Sequence, residues 1–318
     1  MKYCVGVDFG GTNIAVGLVD IDGKRIIGKK STPTNAPRPC TEISKDIARL
    51  CEELCLDEGI KMQDLSWIGI ATPGVVKDSI VIGAVNLGWK NEAFGKILNE
   101  ITGIPTFVAN DANAAAFAEA VWGVGEGESS LVAITLGTGV GGGIVLDGKI
   151  IEGINGFAAE LGHIVIDAGG RSCGCGKRGC FESYCSASAI IKEAKRMMRL
   201  CPDSKMWELC AGEPDNMNGK IPFDAYRMGD YAATVVVKDF ADYLAIGICN
   251  MINILQPAVV CIGGGISYEG DALLELLNES VKANSFGTDD LRTKVKIAKF
   301  KNDAGIIGAA LLGIQEEK

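Results

Sequence analysis

The sequence predicts an α/β protein of two domains with a cleft between them. Three observations carry this. The chain has 318 residues, about the length of two ordinary domains. Short apolar runs alternate with segments of helical periodicity along most of it. A strand, a glycine turn, a return strand and an Asp-Gly hairpin signal open each half, as Val5-Gly-Val-Asp-Phe-Gly-Gly-Thr12 and then as Ala133-Ile-Thr-Leu-Gly-Thr-Gly139.

In the first half, residues 3–9 form an apolar run broken by Gly10-Gly11-Thr12. Residues 14–20 are the second strand, Asp22-Gly23 is the hairpin turn and 25–30 the third strand. Residues 41–58 have helical periodicity, and Cys51 and Cys55, one turn apart, fall on its apolar face. A short buried strand at 67–71 ends at Thr72-Pro73-Gly74. A helix over 92–101, a strand over 106–109 and an alanine-rich helix over 112–121 follow. Gly123, Gly125 and Gly127 alternate with polar residues and mark the boundary, giving domains of 1–122 and 123–303. The second half has strands at 131–136, 142–146 and 149–151, then helices over 187–200 and 231–255. A strand at 258–262, a helix over 271–280, a strand at 295–298 and a helix over 305–315 close it. The last helix, within 304–318, is placed back on the first domain.

Composition excludes several partners. The formal charge is −9, whereas nucleic acid or an anionic membrane surface calls for a basic face. A nucleotide is not excluded, since backbone N–H groups can hold its phosphates. The greasy stretch 243–266 contains Asn250, Asn253, Gln256 and Pro257, so it is a buried helix followed by a buried strand, not a membrane span. Met1-Lys2 runs into the first strand with no cleavage-site pattern, which places the protein in the cytoplasm. There the 12 cysteines stay reduced, and clustered ones point to metal.

The glycine turns suit phosphates. In Asp8-Phe9-Gly10-Gly11-Thr12-Asn13 two glycines let backbone N–H groups approach an anion, Thr12 adds a hydroxyl, and Asp8 offers oxygen to Mg²⁺ through water. The second turn, within 136–143, has five glycines in eight residues, far more than a hairpin needs. It matches neither a dinucleotide fingerprint nor a Walker loop. Two such turns, one per domain, would grip a polyphosphate through Gly10, Gly11 and Thr12 and through Gly137, Thr138 and Gly139. A third glycine run, with Gly264 and Gly265, follows an apolar strand and would admit the edge of an adenosine; a plain strand-to-helix turn accounts for it equally well alone.

His163 is the single histidine, and Cys173, Cys175 and Cys180 follow as C-x-C-x₄-C. Three thiolates and one imidazole complete a tetrahedral zinc site with no open position, hence structural zinc. Glu160 precedes His163 by three residues and Glu182 follows Cys180 by two, so the metal would place both carboxylates. With Asn110 and Asp111, at a strand-to-helix junction, they make a set suited to a polyol, because a carboxylate accepts from two hydroxyls. One aspartate would take the proton of an attacking hydroxyl, which is the remaining requirement of phosphoryl transfer once phosphates and Mg²⁺ are positioned.

Together these residues resemble the ROK family (repressors, open reading frames and sugar kinases) over nearly the whole chain. The resemblance rests on D-x-G-G-T at 8–12, A-T-P-G at 71–74, N-L-G-W at 86–89 and N-D-A-N-A-A-A at 110–116. It continues with L-G-T-G-x-G-G-G at 136–143, E-L-G-H at 160–163, C-x-C-G-x-x-G-C-x-E at 173–182 and G-G-G at 263–265. It implies a duplicated ribonuclease-H-like fold of the actin-like ATPase and sugar kinase type, Mg-ATP, a hexose substrate and a homodimer. By matched position, Asp111 is the base, and Gly74, Asn110, Asp111, Glu160, His163 and Glu182 contact the sugar. Asp8, Gly10, Gly11, Thr12 and Gly137–Gly139 take phosphates and Mg²⁺. His163 serves twice, one ring nitrogen on zinc and the other on a sugar hydroxyl. N-L-G-W resembles the glucokinase branch and implies glucose over N-acetylmannosamine, N-acetylglucosamine, fructose or allose. Ala158-Ala159 departs from the family, which has glycine next to Glu160. Two other classes compete: a sugar-sensing repressor, disfavoured by the acidic charge and the seven residues ahead of Asp8, and an actin- or chaperone-like ATPase, disfavoured by the acidic pocket residues.

Overall fold

The computed structural model describes residues 2–287 and 290–316. The strands are β1 (Tyr3–Phe9), β2 (Asn13–Asp20), β3 (Arg25–Pro33), β4 (Leu65–Thr72), β5 (Val75–Lys77), β6 (Ile80–Ala84), β7 (Trp89–Glu92), β8 (Thr106–Asn110), β9 (Ser130–Leu136), β10 (Val140–Leu146), β11 (Lys149–Ile150), β12 (Val259–Gly263) and β13 (Lys294–Ile297). The helices are α1 (Cys40–Asp57), α2 (Phe94–Thr102), α3 (Asp111–Val121), α4 (Glu182–Cys185), α5 (Ala187–Leu200), α6 (Lys205–Leu209), α7 (Ile221–Arg227), α8 (Tyr231–Leu255), α9 (Asp271–Asn284) and α10 (Ala304–Glu316).

Two five-stranded sheets share one order, β3-β2-β1-β4-β8 and β11-β10-β9-β12-β13. In the first, β1–β2–β3 is antiparallel, while β4 and β8 run parallel to β1. In the second, β12 runs parallel to β9 and β13 to β12, and β10 and β11 are antiparallel. This is the duplicated ribonuclease-H-like architecture. The chain divides into two compact units. The first holds the described residues up to Ser130, then Gly143–Ala159, then those from Lys299 onward; the second holds Leu131–Gly142 and Glu160–Ala298.

The first unit is built on apolar strands. Val5, Val7, Phe9, Ile14, Val16, Leu18, Ile68 and Ile70 are all buried, and α1 adds Ile43, Ile47, Cys51, Leu54 and Cys55 from one helical face. Phe9, Trp89 and Phe94 close the core with ring centroids 5.1–5.7 Å apart, near-ideal spacing for tilted and edge contacts. The helix expected over 92–101 starts at Phe94, because Trp89–Glu92 is an edge of a third, small sheet, β5-β6-β7. Strands of three to five residues carry too little alternation to be read from sequence. The short helices α6 and α7 also escaped the periodicity reading.

The helix α10 packs on β1, β4 and α3 at backbone distance. A Cβ placed on Gly6 would lie 1.9 Å from the Ile306 carbonyl oxygen, one on Gly69 1.8 Å from that of Ala309, and one on Gly308 1.8 Å from that of Ala114. Only glycine permits such approach. The same unit buries Glu119, at 2% exposure. Its carboxylate accepts from the Phe300 N–H at 2.8 Å and the Val124 N–H at 3.2 Å, and Lys299 donates to the Trp122 carbonyl at 2.9 Å. One charged side chain therefore ties α3 to the turn that follows it and to the distant segment at Phe300, and backbone donors replace the water it has lost.

In the second unit, α8 is the central helix, with α5, α7 and α9 packed on it. The stretch 243–266 divides into the end of α8 and β12, and no helix among the described residues is long and apolar enough to cross a membrane.

Candidate active site

In the first unit the strand register fixes the site. Asp8 of β1 lies opposite Ala71 of β4, and Thr72 lies opposite Asn110 of β8. Asp8, the Thr72-Pro73-Gly74 bend and Asn110-Asp111 thus share the carboxyl ends of three parallel strands, where open α/β sheets place ligands. Gly74 has φ of +97°, and a Cβ there would sit 2.3 Å from the Gly83 carbonyl oxygen, so no other residue fits.

Asn110 is the N-cap of α3. Its Oδ1 accepts from the Ala112 and Asn113 N–H groups at 3.0 and 3.2 Å, and its Nδ2 donates to the Gly74 carbonyl at 2.9 Å. The cap duty falls on Asn110, and Asp111 is spared it. Asp111 is exposed, with Oδ1 accepting from its neighbour Ala112 at 2.8 Å. Protein around the carboxyl nevertheless raises its pKa, with the Ala112 N–H as the main opposing influence. Asp8 is pushed further, from 3.8 to about 6, first by desolvation and then by the negative charge of Asp111. No donor among the described residues bonds the Asp8 carboxylate, which leaves its oxygens free for a cation.

The first glycine turn closes with Gly10 N–H donating to the Asn13 carbonyl at 2.9 Å. Thr34, at the end of β3, braces it: the Thr34 hydroxyl donates to the Gly10 carbonyl at 2.7 Å and the Thr34 N–H to the Thr12 carbonyl at 2.8 Å. In the second unit, Gly137 N–H donates to the Gly139 carbonyl at 3.0 Å. Here the braces come from α5: Ala187 N–H to the Gly137 carbonyl and the Ser188 hydroxyl to the Thr138 carbonyl, both 2.8 Å.

The glycines of these turns fall into two kinds. A Cβ on Gly139 would meet Glu182 Oε2 at 2.4 Å, and one on Gly264, where φ is +80°, would meet the Leu136 backbone at 2.5 Å. Those are packing glycines. A Cβ on Gly11, Gly137 or Gly265 would meet nothing within 4 Å, and none of the three has a left-handed φ. The fold itself does not demand glycine at these places. Bare backbone facing open space is what a phosphate or a nucleotide needs.

Glu182 links this turn to the cysteine loop. Its Oε2 accepts from the Val140 N–H at 3.0 Å, and its Oε1 stands 3.7 Å from Cys173 Sγ. Gly162 packs on the other side of Val140, where a Cβ would lie 2.2 Å from its carbonyl oxygen. Glu160 is exposed and starts the short turn Leu161–His163. Ala159, just before it, has φ of +63°. An alanine therefore occupies a left-handed position that suits glycine.

The potential ligand atoms of His163, Cys173, Cys175 and Cys180 all lie within 4.8 Å of one another. Cys175 and Cys180 sulfurs are 3.6 Å apart, and Cys173 Sγ is 3.8 Å from His163 Nδ1. Zinc–sulfur bonds of about 2.3 Å at tetrahedral angles separate two sulfurs by about 3.8 Å. The donor set and its spacing therefore fit the metal. The loop is shaped for it by hydrogen bonds from Cys173 N–H to the Lys177 carbonyl and from Gly176 N–H to the Cys173 carbonyl, at 2.9 and 3.1 Å.

The expected site residues thus gather in two sets. Asp8, Gly10, Gly11, Thr12, Asn13, Gly74, Asn110 and Asp111 lie in the first unit; Gly137, Thr138, Gly139, Glu160, His163, Glu182, Gly264, Gly265 and the three cysteines lie in the second. Sequence reasoning did not single out Thr34 or Val140, whose hydrogen bonds at the turns leave no composition signal.

The chain is similar to known proteins over nearly its whole length. The model of the ROK family matches residues 4–316. A glucokinase of Halalkalibacterium halodurans is 37% identical, the alignment covering 99% of this chain and 96% of that protein. A ROK glucokinase of Streptomyces griseus, solved with glucose and AMPPNP, superposes with a TM-score of 0.80 at 33% identity, covering 99% of this chain and all of that one. A xylose repressor of Caldicellulosiruptor bescii is 27% identical, covering 98% of this chain and 78% of the repressor.

Proposed function

The chain belongs to the ROK family, and from that premise we propose that it is an ATP-dependent glucose kinase, moving the γ-phosphoryl group to the sugar's 6-hydroxyl with Asp111 as the base. The carrying observation is the division of labour at the start of α3. Asn110 takes the helix cap, so the Asp111 carboxylate keeps an oxygen for chemistry. The raised pKa of Asp111 makes it a stronger base than an ordinary aspartate.

In this reading the two turns, Gly10-Gly11-Thr12-Asn13 and Gly137-Thr138-Gly139, hold the phosphates over the open space at Gly11 and Gly137, with the Thr12 and Thr138 hydroxyls adding donors, and the open space at Gly265, beside Gly264, leaves room for the adenosine. Mg²⁺, when bound, would neutralise charge on the phosphates, and the unbonded, desolvated Asp8 carboxylate is the residue suited to hold it. The sugar hydroxyls are read by the Gly74 backbone, Asn110, Asp111, Glu160, His163 and Glu182. Zinc, when bound by the three cysteines and His163 Nδ1, supplies a fixed scaffold and leaves His163 Nε2 for a hydroxyl. Glu182 keeps one oxygen on the Val140 N–H, so the same carboxylate ties the hydroxyl-reading set to the phosphate turn.

A coupled ADP-release assay over a panel of hexoses tests the activity: glucose is expected to give the highest kcat/KM, and a preference for an N-acetylated hexose moves the assignment to that sugar. We place the protein in the cytoplasm, where its cysteines stay reduced, as a homodimer. Sedimentation at micromolar concentration checks the stoichiometry.

A further inference from the structure

Gly305 is the second residue of α10 and lies against Asp8. A Cβ added there would stand 2.5 Å from Oδ2, 2.6 Å from Cγ and 3.0 Å from Oδ1 of Asp8. The whole carboxyl group, and not the tip of a long chain, fills the space a side chain would take. Gly305 does not have a left-handed φ, so its own backbone would accept alanine. Alanine is also the better helix former. The three atoms nearest that position, which call for glycine here, all belong to the Asp8 carboxyl.

Neither partner can step aside. Asp8 is held in β1 between Ala15 of β2 and Ala71 of β4. The helix is pinned at backbone contact by Gly6 against Ile306, Gly69 against Ala309 and Gly308 against Ala114. A methyl group at 305 must therefore turn the Asp8 side chain about its own bonds, away from its present arrangement.

We propose that Gly305 is a positioning residue for phosphoryl transfer, holding the Asp8 carboxyl in its working orientation by contributing no side chain. The proposal rests on the reading of Asp8 as the residue serving Mg-ATP. A double-mutant cycle of Gly305→Ala and Asp8→Ala, read by kcat, glucose affinity and thermal midpoint, tests it. Gly305→Ala alone is expected to lower kcat about tenfold or more and to raise the Mg²⁺ concentration for half-maximal rate, with glucose affinity by calorimetry unchanged within about twofold. In the Asp8→Ala background the same substitution is expected to change kcat less than about twofold and to raise the thermal midpoint, since the clash is gone and the helix gains alanine. An equal loss in both backgrounds, or a Gly305→Ala enzyme with wild-type kcat, overturns it. If Gly305→Ala does not fold, the double variant decides: folding at or above the midpoint of Asp8→Ala supports the clash, and failure to fold refutes it. Wild-type turnover in Asp8→Ala alone would sink the underlying reading, and the proposal with it.

Discussion

The two glycine turns are built on the same strand order but are held by different means. The first is braced by Thr34, from the strand next to it in the same hairpin meander. The second is braced by α5 and by Glu182, which reach it from beyond the cysteine loop. The first turn thus depends on local sheet pairing, while the second depends on a loop with few apolar residues to hold its shape. A duplicated fold has kept its backbone and moved its carboxylate. In the first unit the acid, Asp8, lies on the strand leading into the turn; in the second it is Glu182, imported from 42 residues after Val140. That difference goes with the cluster of His163 and three cysteines that the second unit carries next to Glu182.

The largest test of this contrast is chemical. Asp111→Asn is expected to lower turnover about 10³-fold while glucose affinity by calorimetry stays within a few-fold, because one base is lost and hydrogen bonding is kept. Retained turnover would break the assignment. Next comes the metal. Elemental analysis should find about one zinc per chain. Stripping it, or Cys175→Ser, is expected to cut activity by about 10²-fold and to lower the melting of the second unit first. A metal-free chain with normal activity and melting would remove the distinction between the turns.

Asp8 gives the third test. Its folded pKa of about 6 lies above the unfolded 3.8, so the native state binds the proton more tightly. Stability from this group is greatest below about pH 4, falls as pH rises through 6 and stays reduced above. Asp8→Asn removes the ionisation and is expected to gain up to about 3 kcal/mol at pH 7.5, a gain that fades toward pH 4. Chemical denaturation at both pH values checks it, with activity moving the opposite way.

Fourth, the two kinds of glycine should separate. Gly139→Ala must displace Glu182 and is expected to cost about 1–3 kcal/mol. Gly11→Ala and Gly137→Ala should leave stability within about 1 kcal/mol while raising KM for ATP, since their space is open in the chain alone. The smallest effect is at Ala159, where glycine is expected to add about 0.5–1 kcal/mol by relieving the left-handed alanine; no change in the urea midpoint would say that the loop already absorbs the strain.

Much of this was legible in sequence for a physical reason. The glycine turns and the cluster of cysteines with histidine marked themselves by residue type. The long helices and core strands did so by period, and α8 was found with its observed limits. What stayed hidden acts through tertiary contact. Asn110 and Asp111 are both competent caps, and only the folded chain shows which one caps. Thr34 is an ordinary residue just past β3 until the first turn folds against it, and Gly305 is an ordinary helix glycine until Asp8 is found beside it. Ala159 was noticed as a departure from the family, but its left-handed backbone required coordinates.

The close seating of α10 has a consequence for how the protein is made. Strand β1 leaves the ribosome well before the helix that covers Gly6 and Gly69. During synthesis the first sheet must wait, with one face bare, until the rest of the chain has been translated. An N-terminal fragment expressed alone would carry that bare face permanently, and nascent chains stalled before residue 304 should be held by chaperones more than completed ones.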